Sequence, residues 1–516
     1  MTWHGPDRFE VIIVGGGING CGIARDLAGR GVRVCLLERG DLAGATSSAS
    51  TKLIHGGLRY LEHFEFRLVR EALAEREVML RIAPHIVWPM RFVLPHRPEM
   101  RPRWMIRAGL FLYDRLARRV SLPGHEALDC RTHPHGAPLL PGITRAFAYS
   151  DCWVEDSRLV VLNARDAARR GATVLPRTAL VAATAEAEGW TVIAEEAGGA
   201  RRTLKARALV NAAGPWVAEA LGRTGRTPRG RLRLVKGSHI VVPALHDGPQ
   251  AYLLQNDDRR VVFVIPFEER FSLIGTTDVP FEGDARAASA SAEEVAYLCA
   301  AVARQFRRPP RPEDVVWTFS GVRPLQDDGA AEAASVTRDY ALEMDRSGPP
   351  LLTVLGGKIT TYRRLAEDAV ALLASALGRP AGTPWTAAAA LPGGDPGPGG
   401  MAAFAAEARR RHPWLPPAML ARLLRTHGTE LDAVLGGATC LADLGADLGA
   451  GLTERELDWL VREEWAASAE DVLWRRTKLG LHMPPRAREA LAARFPQAAA
   501  PRRGSATGSA RPAVAG

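Results

Sequence analysis

The 516-residue chain has no CxxC pair: its six cysteines (Cys21, Cys35, Cys130, Cys152, Cys299 and Cys440) are scattered. That spacing excludes a disulfide framework and a thiolate zinc site, and it suits a reducing compartment. There is no HExxH motif and no Cys/His cluster, so the histidines give no basis for a metal. No uninterrupted apolar run reaches the roughly 18 residues that suggest a spanning helix. Only a few residues precede the first strand, with no apolar stretch behind a basic start, so neither a secretory signal nor a transit peptide is expected. Outside residues 97–119 the chain lacks a basic patch with interleaved stacking aromatics. Nucleic acid is therefore not an expected partner.

Hydrophobic residues make up 47% of the chain, enough for large cores in two or three domains. The net charge of +10 favours acidic partners, such as phosphorylated metabolites or anionic lipid. Arginine and alanine are abundant throughout, so bulk charge alone selects none of them.

The run Phe9 to Val14 (FEVIIV) has the continuous apolar, β-branched character of a strand buried on both faces of a parallel sheet. A helix over Ile18 to Gly29 and a second strand over Val32 to Leu37 complete a βαβ unit. Between strand and helix lie Gly15, Gly17 and Gly20 of a GxGxxG fingerprint, and Glu38 ends the second strand. Gly15 permits the tight turn, Gly17 admits a pyrophosphate to the backbone, and Gly20 lets helix pack on strand. The helix N-terminus then faces negative charge, and Glu38 is placed to accept from ribose hydroxyls. The fingerprint does not separate FAD from NAD. The following stretch, Asp41 to His55, is rich in hydroxyls and small residues, which suits a chain running beside a long cofactor.

Further strands are expected at Leu209–Val210, His239 to Val242, Val261 to Ile265, Ser272 to Ile274 and Leu351 to Leu355. The run Leu391 to Gly400 (LPGGDPGPGG) reads as a linker or surface loop. Residues 401–495 read as a helical domain, and 496–516 as a disordered tail. Arg97 to Arg119 mixes Trp104, Met105, Ile106, Leu110, Phe111 and Tyr113 with seven arginines, as an interfacial helix on anionic lipid would.

From Thr46 to Glu62 the sequence reads TSSASTKLIHGGLRYLE, and with the N-terminal fingerprint this closely resembles the aerobic, bacterial FAD-dependent glycerol-3-phosphate dehydrogenases. Similar segments recur as APHIVWPMRFVLPHRP (83–98), YSDCWVEDSRLV (149–160), NAAGPW (211–216), KGSHIVVP (236–243), IGTTD (274–278), WTFSGVRPL (317–325), TRDY (337–340), GGKITTYRRLAE (356–367) and DVLWRRTKLGL (471–481). The resemblance covers about residues 8–485. It implies an α/β and α+β protein: a Rossmann-like FAD domain of the glutathione-reductase and glycine-oxidase type, a mixed-sheet cap domain and a helical C-terminal domain. Within residues 8–390 the FAD domain would come from about 8–82, 150–230 and 350–375, and the cap from 83–149 and 231–349.

The resemblance also implies site residues. Thr46, Ser47, Ser48, Lys52, Leu53, His55, Gly56, Gly214, Gly356 and Gly357 would join the fingerprint around FAD. Arg59, Tyr60, Thr276, Arg323, Arg338 and Lys358 would surround the substrate. Guanidinium groups bind phosphate oxygens as a planar fork, and a lysine supplies a point charge. In the expected reaction sn-glycerol 3-phosphate becomes dihydroxyacetone phosphate, its C2 hydrogen leaving to the flavin while a base takes the hydroxyl proton. His239 is the preferred base, because its unperturbed pKa lies nearest neutrality; a structural or donor role for it, and His55 as the base, stay open. Family members feed a membrane quinone, which implies a cytoplasmic enzyme peripherally attached to the inner face of the membrane. The C-terminal helices are open to homodimerisation or to another partner contact; for the reaction, a glycerol-3-phosphate oxidase using oxygen and an amine or amino-acid oxidase of the same fold are alternatives.

Overall fold

The computed structural model describes residues 6–58, 61, 64–116, 121–227, 232–258, 260–326 and 339–495. The expected tail at 496–516 lies outside them.

The fingerprint strand, Arg8–Val14, pairs in parallel with Val34–Leu37 on one side and Arg201–Asn211 on the other. The cofactor sheet runs in the order Tyr340–Asp345, Leu351–Gly356, Arg201–Asn211, Arg8–Val14, Val34–Leu37, Thr173–Leu175. An antiparallel pair, Thr178–Glu186 and Gly189–Glu196, continues from Arg201–Asn211. Val11, Ile12 and Ile13 are completely buried, as a central strand covered on both faces requires. Helix Ile18–Gly29 packs between Asp156–Arg169 and Tyr362–Ala376. Gly22 allows the last of these contacts, since a Cβ there would lie 2.7 Å from the Tyr362 ring.

The second sheet forms the cap. Its order is Val279–Pro280, Leu232–Pro243, Phe271–Gly275, Val261–Phe267, Ala251–Gln255, Val87–His96, Arg145–Val154, Leu53–Ile54, with Trp317–Gln326 also pairing on Leu232–Pro243 and Glu126–Asp129 on Arg145–Val154. One face carries Phe92, Tyr149, Val241, Ile265 and Phe267, covered by helices Phe66–Ile82 and Arg103–Leu116. The opposite face, with Ile240, Val242 and Val264, packs on helix Ala292–Ala303.

Two expected boundaries shift. Tyr340–Asp345, placed in the cap by its position before residue 350, belongs to the cofactor sheet. Arg145–Val154 crosses the expected division at 149/150 and lies wholly in the cap sheet. The five strands expected in the middle of the chain are all present, each longer than its apolar run; polar residues extend the ladders of Arg201–Asn211 and Leu232–Pro243.

The segment expected as a linker or surface loop is buried over its first four residues, 391–394, and largely exposed beyond them. Leu391 donates its N–H to the Ile82 carbonyl at 2.8 Å, and Thr429 N–H donates to Gly393 O at 3.0 Å. A Cβ at Gly394 would sit 2.4 Å from Ile82 O, and one at Gly393 2.3 Å from His427 O. These glycines serve close backbone approach, and the strap they form seams the cofactor domain to the C-terminal domain. That last domain holds helices Gly400–Arg411, Pro417–His427, Leu431–Leu435, Glu454–Glu464 and Pro485–Ala493, plus a two-stranded ribbon, Asp447–Gly449 with Leu452–Thr453.

Candidate cofactor and substrate site

The glycine turn is closed to side chains. Gly15 has φ +116°, and a Cβ there would lie 2.4 Å from Ala212 O; at Gly20 it would lie 1.9 Å from Gly15 O. Gly17 caps the Ile18–Gly29 helix without a side chain, leaving its first turn open to an anion. The Ser47 hydroxyl accepts from Ile18 N–H at 3.0 Å and so marks the same helix end. Glu38 accepts from Gly16 N–H at 2.6 Å and from Gly40 N–H at 2.7 Å. Burial raises its pKa, and those two N–H groups pull the other way. Both carboxylate oxygens are thereby oriented at the mouth of the turn.

Gly214 (φ +56°) turns the chain just past the Arg201–Asn211 strand, whose terminal Asn211 side chain donates to Val217 O at 2.9 Å. Gly356 (φ +71°) and Gly357 (φ +100°) turn the chain at the end of Leu351–Gly356. Asn19, in the first helical turn, donates to Gly356 O at 3.1 Å, while its buried Oδ1 has no hydrogen-bond partner among the described residues. An unsatisfied acceptor between a dinucleotide helix and a glycine loop fits a cofactor bearing N–H and O–H donors. Sequence reasoning passed over Asn19, although it stands inside the fingerprint.

The hydroxyl-rich loop divides its work. Thr46 donates to Val322 O at 2.6 Å, tying the loop to the cap, and Ser48 donates locally to Ala45 O at 3.1 Å. The side chains of Lys52 and Leu53 are both buried in the protein. Lys52 is fully buried and pairs with both oxygens of Asp156 at 2.8 Å. A sealed ammonium is tolerable only beside such a partner, so Lys52 is structural. Leu53 lies in the short cap strand that pairs with Arg145–Val154 and is buried in the core. His55 and Gly56 follow. His55 N–H donates to Thr360 Oγ1 at 3.3 Å, and Gly56 N–H donates to the Tyr113 hydroxyl at 2.8 Å.

On the substrate side, Arg323 pairs with Asp278 and donates from Nη2 to Thr276 Oγ1 at 3.2 Å. Room for both comes from Gly237, where a Cβ would lie 2.4 Å from Arg323 Nη2 and 2.6 Å from Thr276 Oγ1. Gly237 and Asp278 were not singled out in the sequence, although both lie in motifs quoted above. Two residues along the same strand, and so on the same face, His239 contacts Thr51 Oγ1 through Nε2 at 3.0 Å and stacks on Phe319 with centroids 4.8 Å apart. It is only 1% exposed, and Nδ1 has no hydrogen-bond partner among the described residues. Burial, then Arg323, then Lys52 hold its pKa well below the usual value. Lys358 follows the glycine turn and is half-buried. A Cβ at Gly356 would lie 3.7 Å from Pro324 O, which sets that turn beside the Arg323 strand. Arg59, Tyr60 and Arg338 lie outside the described residues.

This site, with a glycine turn linked through Asn19 and Gly356 to the strand that carries Arg323, has counterparts among known proteins. The FAD dependent oxidoreductase family matches residues 10–363, and the C-terminal domain of alpha-glycerophosphate oxidase matches residues 385–499. The aerobic glycerol-3-phosphate dehydrogenase of Escherichia coli is 51% identical over 92% of this chain and 94% of its own length. This chain belongs to the FAD-dependent glycerol-3-phosphate dehydrogenase family. The D-erythritol 1-phosphate dehydrogenase of Brucella abortus is 49% identical over 96% of this chain and 99% of its own. Among solved structures, the glycerol-3-phosphate dehydrogenase from Bacillus halodurans complexed with FAD superposes with a TM-score of 0.74 at 27% identity, covering 92% of this chain and 86% of that one. The enzyme is thus an FAD-dependent oxidoreductase.

Proposed function

We propose that the enzyme oxidises sn-glycerol 3-phosphate to dihydroxyacetone phosphate and delivers the electrons to a membrane quinone. The observation that carries this reading is the placement of Arg323, Thr276 and His239 on one face of the cap sheet, beside the glycine turn that leads to Lys358. When bound, FAD supplies the two-electron acceptor for the secondary carbinol hydrogen. The chain's own residues do the rest. Arg323 offers its guanidinium to the phosphate, with Lys358 as a second cation and Thr276 as a hydroxyl donor. Arg59, Tyr60 and Arg338 complete the anion site in this reading. His239 takes the C2 hydroxyl proton on Nδ1, the lone-pair nitrogen once Nε2 donates to Thr51. Assay with a quinone analogue against oxygen tests the acceptor: quinone-coupled formation of dihydroxyacetone phosphate supports the reading, and stoichiometric peroxide makes the enzyme an oxidase.

Because burial and the nearby Arg323 and Lys52 depress its pKa, His239 stays neutral from mildly acidic pH upward, with Nδ1 or Nε2 carrying a lone pair, and holds an accepted proton only weakly. His239→Gln is expected to lower kcat about 100-fold or more, with a deficit that narrows as pH rises and hydroxide substitutes for the base. Near-normal turnover across the pH range would exclude His239 from that role.

The similarity to the Brucella enzyme favours a second reading of the substrate, a four-carbon polyol 1-phosphate. The same phosphate clamp and carbinol chemistry would serve it. The ratio of kcat/KM for D-erythritol 1-phosphate and sn-glycerol 3-phosphate separates the two.

No helix among the described residues is long and apolar enough to cross a membrane. Attachment to the inner face of the cytoplasmic membrane is assigned to helix Arg103–Leu116. Its buried side sets Leu110 and Tyr113 into the cap core, and its outer side exposes Trp104 (69%) and Phe111 (51%). Phe64, 77% exposed, is a further uncovered ring, and Arg101, Arg103, Arg107 and Arg115 supply positive charge. The double substitution Trp104→Ser and Phe111→Ser is expected to weaken binding to anionic vesicles by about tenfold or more, as loss of two exposed aromatic rings from the lipid contact implies. Unchanged flotation would remove this helix from the membrane contact.

A further inference from the structure

Glu38 orients its carboxylate through a short irregular loop, and that loop is held from outside the cofactor domain. Residues 38–44 contain Gly40, Gly44 and a left-handed Ala43 (φ +59°), a conformation disfavoured for a non-glycine residue. Ala43 N–H donates to Gly16 O at 3.0 Å, so the loop rests directly on the fingerprint.

Opposite it stands a π-helical turn of the C-terminal domain, Asp471–Arg476. Arg476 forks onto Asp41 with Nη1 at 2.9 Å and Nη2 at 2.8 Å, and Arg475 Nε reaches the same carboxylate at 2.6 Å. The Asp41 and Arg476 side chains are 3% and 0% exposed. A second grip comes through Arg177, whose N–H donates to Gly40 O at 2.8 Å. The Arg177 guanidinium is held by Asp471 and by the Trp465 carbonyl, the latter at 3.3 Å. Thr178 N–H, next in the chain, donates to Glu38 O at 2.7 Å. Each residue from Glu38 to Asp41 except Arg39 is thus fixed by a partner that the C-terminal domain holds or that adjoins one.

We propose that the Asp471–Arg476 turn is a retention clamp for FAD: Arg475 and Arg476, acting through Asp41, are positioning residues that keep Glu38 in its ribose-binding register. This gives the C-terminal domain a role in cofactor affinity. It rests on the assignment of FAD to the glycine crest.

The test uses the full-length apoprotein, titrated with FAD by flavin fluorescence, together with thermal unfolding of the apo and holo forms. Asp41→Asn keeps the shape and removes the charge; Arg475→Gln, at the more exposed arginine, serves as the second variant should the first fail to fold. The expected result is a rise in the FAD dissociation constant of about tenfold, with a narrowed gap between apo and holo Tm. Because Asp41 acts through Glu38, adding Asp41→Asn to Glu38→Gln should change the dissociation constant by no more than about twofold. An FAD affinity within about twofold of wild type, apo and holo Tm falling equally, or a full effect persisting in the Glu38→Gln background would overturn the clamp. A wild-type protein that takes up no FAD would instead overturn the cofactor assignment beneath it.

Discussion

Arg323→Met is expected to lower kcat/KM for sn-glycerol 3-phosphate by roughly 1,000-fold, about 4 kcal/mol of lost transition-state binding. Two effects add. The substitution removes a planar donor pair matched to phosphate oxygens. It also strips Asp278 of the guanidinium that now pairs with it, leaving a carboxylate to repel the incoming dianion. Arg323→Lys restores the charge without the fork and should recover about tenfold of the loss. Flavin content should not change, since Arg323 lies on the cap sheet and pairs there with Asp278 and Thr276. Steady-state kinetics on FAD-replete protein measure this, and an Arg323→Met enzyme with ordinary kcat/KM would remove Arg323 from the substrate site.

The second large effect concerns the cofactor. Gly20→Ala places a methyl group 1.9 Å from Gly15 O, where only movement of the helix relative to the turn relieves the clash. The contact is with backbone, so no side-chain rotamer absorbs it. Overpacking at such a site costs roughly 3 kcal/mol, and the displaced helix N-terminus no longer meets the pyrophosphate. The expected product is a colourless protein with a lowered Tm that excess FAD does not restore. Absorbance of the purified protein and its thermal unfolding with added FAD check both parts. A yellow, fully active Gly20→Ala protein would show that the helix can yield.

How far the sequence carried this picture depends on the range over which each residue finds its partner. The βαβ unit was legible because its signals are local: five of the six positions from Phe9 to Val14 are apolar, and the glycines stand at the end of that strand. Arg323 and Thr276 were found through family motifs, yet their contact depends on cap-sheet register, which sets Gly237 opposite Gly321 and leaves a gap for both side chains. Lys52 misled for the opposite reason. It sits in a hydroxyl-rich loop suited to a cofactor, but its charge is spent on Asp156, 104 residues away. The glycines and prolines of 391–400 carry the composition of a flexible linker, whereas the fold uses Gly393 and Gly394 where two backbones meet. The Arg475–Arg476 pair was visible only as a motif. Its partner Asp41 lies more than 430 residues earlier, and no periodicity links the two.

The most direct measurement of the central claim is anaerobic addition of sn-glycerol 3-phosphate to the purified flavoprotein, with the flavin absorbance followed in a stopped-flow instrument. The account predicts rapid bleaching at a rate that saturates with substrate, together with formation of dihydroxyacetone phosphate, and no response to amino acids. A flavin that stays oxidised with the phosphate ester, or that is bleached by an amino acid instead, would contradict it.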